Sequence, residues 1–168
     1  DLTVHISTKL NRSHVVTGAA ALILPVLGST ERDKQSGGEQ FVTVENSMGV
    51  VTKSRGVLPP ASQQLRSEVR VVAELAESVL GSTSKLNWRE LADHYDRIRD
   101  RIARVIPGFD DFNEILDDAD ELELPNAVRD ERKFLTTSGK AHFTVNSLVA
   151  VGVPAGPFLL TTTRTHDQ

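Results

Sequence analysis

Cysteine is absent from all 168 residues. Disulfides, thiolate zinc sites, cysteine nucleophiles and cysteine-held iron–sulfur clusters are excluded from these residues, because each needs a thiol or thiolate. Long hydrophobic runs are also missing. The most apolar stretch, Val15 to Leu27, is interrupted by Thr17, Gly18 and Pro25 and is too short to span a bilayer as a helix. The first residues, Asp-Leu-Thr-Val-His, have neither the basic start nor the apolar core of a secretory signal. There is no excess of positive charge. With 19 basic and 23 acidic residues the net charge is -4, which argues against a nucleic-acid partner. Together these absences read as a cytoplasmic protein with no membrane insertion and no nucleic acid.

Several chemical signatures are missing as well. The five histidines, His5, His14, His94, His142 and His166, show no HExxH-like or paired metal spacing. No G-x-S-x-G nucleophile elbow and no G-x-x-x-x-G-K phosphate loop occurs. Asp110 and Asp111 are adjacent in sequence, so a helix would point them in different directions rather than pair them. The acidic run Asp117 to Glu123 lacks the alternating ligands and glycine of a calcium loop and reads as a solvated loop.

What is present is an ordinary globular composition, with 39% hydrophobic and 25% charged residues. The first third reads as strand and loop. Leu2 to Ile6 alternates, Ala20 to Leu24 before Pro25 resembles a buried parallel strand, and Glu31 to Gly38 reads as an exposed loop. Phe41 to Glu45 alternates and Val50 to Lys53 would be its return strand, with Asn46 to Gly49 as the turn. After Pro59-Pro60 the period becomes helical. A helix is expected over Leu65–Leu80, with Val69, Val72 and Ala76 inward. A second is expected over Trp88–Val105, opened by Asn87 and burying Trp88, Leu91, Tyr95, Ile98 and Ile102. Its other face carries arginines and aspartates and reads as solvated. Phe109 to Leu116 suggests a short third helix; Phe143, Val145 and Leu148 suggest a strand before the linker Gly152 to Pro157. The chain begins directly in a strand-like segment and ends in a polar one after Phe158-Leu159-Leu160, so excision from something longer is expected.

Two segments combine hydrogen-bonding groups with a turn beyond an apolar strand. Leu27 to Glu31 follows the strand that ends at Pro25, the end at which open parallel sheets place their ligands. Thr161 to Gln168 supplies hydroxyls, a guanidinium, an imidazole and an amide, which suit a phosphate and a heteroaromatic ring; its alternative reading is a polar tail.

The strings ALILPVLGSTERD, FVTVENSMGVV, SRGVLPPASQQLRSE, IPGFDDFN, SGKAHF and TTTRTHDQ occur in this order. In these the chain resembles the molybdopterin oxidoreductase alpha-subunit group, which is formate dehydrogenase-like within the dimethyl sulfoxide reductase family. The resemblance runs from about Val4 to Gln168. It implies a parent enzyme, a molybdenum oxidoreductase with bis-molybdopterin guanine dinucleotide and a 4Fe-4S cluster, of which this is a C-terminal fragment. The implied fold class is α/β: residues 1–150 would be the C-terminal part of a Rossmann-like third domain. Residues 151–168 would be a linker and the first strand of the dinucleotide-binding β-barrel domain. By matching positions, Thr163, Arg164, His166 and Gln168 would contact the cofactor.

The chain departs from the group at Val26 and Ser29, where the group reads LPCLGRTE, at Asn46 in place of aspartate, and at Thr165 in place of serine. The arginine missing at Ser29 weakens the case for a ligand at that loop. The metal ligand and cluster cysteines would lie in the rest of the parent chain. The implied partners are therefore that remainder and an electron-transfer partner. The fragment alone is expected to bind no cofactor and to be inactive. The alternative to this reading is a non-enzymatic α/β interaction module using the arginine-rich helix Trp88–Val105.

Overall fold

The computed structural model describes residues 1–147. They form two compact units divided between Asn126 and Ala127. The expected boundary at 150/151, the linker, and the segment from Leu148 onward lie outside the described residues. The architecture is mixed α/β with small sheets.

In the first unit, β1 (Leu2–Ser7) and β2 (Ala20–Pro25) pair in parallel, with Val4 opposite Leu22. Both expected strands are present, but β2 is not buried: Leu22 is 48% and Ile23 41% exposed. An apolar run reports affinity for a core and not the presence of one.

The segment expected to be an exposed loop at Glu31 to Gly38 instead contains β3 (Asp33–Gln35), joined through Ser36-Gly37 to β4 (Gly38–Gln40) as a tight antiparallel hairpin. Its polar residues hide the alternation by which a strand is recognised, and Gly38 at φ 105 completes the turn. Then β5 (Val42–Glu45) and β6 (Val50–Ser54) form the expected hairpin. The Asn46 Oδ1 accepts from the backbone N–H of Met48 and Val50 and so shapes the turn.

The first helix, α1 (Glu68–Leu80), starts three residues later than the apolar period suggests, because the Ser67 hydroxyl caps it by accepting the Arg70 N–H. Arg66 remains extended and accepts the Leu27 N–H at 2.9 Å. The second expected helix is broken into α2 (Trp88–Asp93) and α3 (Tyr95–Val105), with His94 extended at φ -140. Gln40 explains the break: its side-chain oxygen takes the Tyr95 N–H at 2.9 Å in place of a helical carbonyl. Of the residues expected inside, Leu91 and Tyr95 are buried, Val69, Ala76, Trp88, Ile98 and Ile102 are half-buried, and Val72 is exposed.

The short helix α4 (Phe112–Ala119) ends at Asp120, whose φ of 61 reverses the chain. The acidic run is therefore not all loop: β7 (Glu121–Glu123) pairs with β6 and points Leu122 into the core between two exposed glutamates. Val51, Phe112, Leu116 and Leu122 are the buried centre, surrounded by Phe41, Ile102 and Phe109 among others. The core thus joins the β5–β6–β7 sheet to α3 and α4.

The second unit contains α5 (Ala127–Glu131) among its described residues. Phe143 and Val145 are 97% and 98% exposed and belong to no strand, contrary to expectation.

Candidate functional site

The carboxyl ends of β1 and β2 carry the two loops best placed for a ligand, since a parallel pair directs its following loops to the same edge. After β1, Asn11 accepts hydrogen bonds from the Ser13 N–H and hydroxyl, and His14 Nδ1 accepts the Asn11 N–H at 3.0 Å. This capping box closes the one-turn helix Arg12–Val15 and places the His14 ring 4.5 Å from the ring of His5. The Nε2 atoms of both histidines are buried without a partner among the described residues.

After β2, the loop Leu27 to Glu31 is held from inside. The backbone N–H groups of Gly28 and Ala61 donate to the Glu31 carboxylate, and Thr30 O accepts from Val57 and Leu58. Gly56 passes so close that a Cβ there would lie 1.9 Å from the Glu31 carbonyl oxygen. Ser29 and Thr30 are left exposed at the tip.

The hydrogen bonds from Gly28 and Ala61 hold the Glu31 carboxyl below its ordinary pKa of 4.5. A lowered folded-state pKa means that Glu31 stabilises the fold above the ordinary value, and that this contribution is lost as pH falls through the lowered one. Glu31→Gln should therefore flatten the acid limb of stability. Between about pH 6 and about pH 3 its urea midpoint should fall less than that of the parent. An equally steep fall in both would show that the carboxylate does not anchor the loop.

Beside this edge lies a second polar cluster. The Tyr95 hydroxyl donates to Asp33, so the Ser67 hydroxyl is the donor in its 2.7 Å contact with the phenol. Arg70 donates to Gln35 Oε1 and pairs with Asp93. Burial pushes the Tyr95 phenol well above its ordinary pKa, and donation to Asp33 pushes it the same way. The Arg70 guanidinium, with help from Ser36, holds the Asp93 carboxyl below its ordinary range. A phenol that stays protonated and a carboxylate that stays charged make a clamp joining the β3–β4 hairpin to α1 and to the α2–α3 break. They do not make an acid–base pair.

Thr163, Arg164, His166 and Gln168 lie outside the described residues. The structure brings Leu27–Glu31 to the expected edge. The basic helix face is partly neutralised, with Arg89 paired to Glu77 at 3.0 Å and Arg97 to Glu90. The acidic run faces Lys53, which bonds Asp120 at 2.8 Å. Among the described residues no group of three or more His, Asp or Glu could hold a metal ion, and no helix is long and apolar enough to cross a membrane. Sequence reading missed the His5–His14 pair and the anchoring role of Glu31. The Asn11-x-x-His14 spacing is the one local signal that pointed to the first; the second depends on a contact thirty residues away.

No family model matches the chain, and no solved structure matches it. It is similar to a Mycobacterium tuberculosis protein named an uncharacterized oxidoreductase, with 52% identity over 167 residues, covering 99% of this chain and 21% of that protein. It is also similar to the protein YdeP of Escherichia coli, with 45% identity over 172 residues, covering 100% of this chain and 22% of that protein. The chain thus spans about a fifth of the length of the curated relatives it matches.

Proposed function

We propose that this chain is a segment of a longer molybdenum oxidoreductase that resembles formate dehydrogenase and uses bis-molybdopterin guanine dinucleotide. In it the segment contributes scaffold and a cofactor-facing loop. The reading is carried by 52% identity across nearly the whole chain to a protein named an oxidoreductase. The six ordered strings narrow it to the molybdopterin group, and the parallel pair β1–β2 suits a Rossmann-like domain.

The donors at hand fit the organic part of such a cofactor and not its metal. Exposed hydroxyls at Ser29 and Thr30 can meet phosphate or ribose oxygens, whereas the described residues hold no cysteine and no three-residue metal cluster. The metal would be held elsewhere in the longer polypeptide. Thr163, Arg164, His166 and Gln168 are the proposed contacts of this segment, with the Arg164 guanidinium set against a dinucleotide phosphate. Charge-assisted bonds of that kind contribute roughly 1.5–3 kcal/mol each.

In the full-length protein, Arg164→Ala should retain less molybdenum and guanine nucleotide than the parent, while Arg89→Ala, on a solvated helix face, should match the parent. Equal retention in the two variants would remove Arg164 from the site. A parent free of both metal and nucleotide would overturn the reading.

A further inference from the structure

Parallel strands are almost always covered on both faces, because the helices that connect them pack back onto the sheet. Here the connection between β1 and β2, Thr8 to Ala19, contains only the single helical turn Arg12–Val15. It lies over one face of the pair: the Gly18 N–H donates to the Thr3 hydroxyl and the His14 ring packs on His5. Residues opposite one another in a parallel pair share a face. Leu2, Val4 and Ile6 therefore stand beside Ala20, Leu22 and Leu24 on the other side. That face is wholly apolar, yet Leu2 is 70% and Val4 47% exposed. A contiguous bare apolar face on a parallel pair is a docking surface.

We infer that this face is covered by an amphipathic helix from the remainder of the longer polypeptide. The occupant follows from three observations. The strands are parallel, a geometry that is covered by helices. The pair's own connection supplies no helix beyond one turn. The relatives extend far beyond this segment, which matches only 21% of one of them, so most of such a polypeptide is available as cover. The inference rests on the reading of the chain as part of a longer protein and is independent of the cofactor.

The test uses the full-length protein with Val4→Cys or Leu22→Cys, labelled by a bulky maleimide and read by mass spectrometry of the substituted peptide. Labelling of the native protein should be at least roughly 100-fold slower than in urea, at every protein concentration, because access then requires local opening. Labelling as fast as in urea would overturn the inference. Protection that fades on dilution, together with a halved mass in light scattering, would also overturn it by making the occupant a second copy. Molybdenum measured on the same preparation separates the two proposals. A protected face on metal-free protein upholds the docking surface and sinks the cofactor reading, and a free face on metal-loaded protein does the reverse.

Discussion

Phe112→Ala should lower the free energy of unfolding by about 3–5 kcal/mol, the usual cost of emptying a large buried aromatic site. Phe112 is 1% exposed and stands edge-on to Phe109, with ring centroids 4.9 Å apart. It touches the cluster in which Val51 of β6 and Leu122 of β7 meet Leu116 of α4. Removing the ring leaves a void between a sheet and a helix that cannot close without moving both, so little of the lost contact is recovered. Val105→Ala on the 78% exposed end of α3 should stay within about 0.5 kcal/mol of the parent. Chemical denaturation of parent and both variants checks the pair. A loss below about 1 kcal/mol at Phe112 would mean that the core is not centred there.

Arg70→Met should cost about 1.5–3 kcal/mol, the range for charge-assisted hydrogen bonds. Methionine keeps much of the apolar stem, so the loss isolates the guanidinium, which holds Gln35 at 2.7 Å and pairs with Asp93. Without it Asp93 is left partly buried and short of its main counter-charge. A pH signature should accompany the loss. Because Arg70 lowers the Asp93 pKa, the parent gains stability from this pair above the ordinary carboxylate range, and that gain disappears as pH falls through the lowered value. The gap between Arg70→Met and parent should therefore narrow in acid. Arg66→Met, at an exposed pair with Glu74, should change little at any pH. Equal losses in the two variants would contradict the clamp.

The readable parts of the fold are those whose signals are local. The β5–β6 hairpin has its alternation and its Asn46 turn in one short stretch, and α1 has its apolar period. Leu91 and Tyr95 are buried as the period requires, even though the helix carrying them breaks at His94. That break depends on Gln40, fifty-five residues earlier, and no pattern within Trp88–Val105 records it. The β3–β4 hairpin and β7 were hidden by polar composition, because Leu122 is a single apolar residue between two acids. The exposure of β2 was illegible for the opposite reason: its apolar run describes what the strand needs as cover, and the described residues leave Leu22 and Ile23 exposed. At the candidate site, Leu27–Glu31 could be placed from the end of β2, whereas its tethering by Ala61, Val57 and Leu58 required the folded chain.

The most direct test of the central claim is the molybdenum and guanine nucleotide content of the full-length polypeptide, purified from a host that makes the dinucleotide cofactor. The account predicts both, in near-stoichiometric amounts and released together on denaturation. Protein free of molybdenum and of guanine nucleotide, purified beside a control enzyme that is fully loaded in the same host, would contradict it.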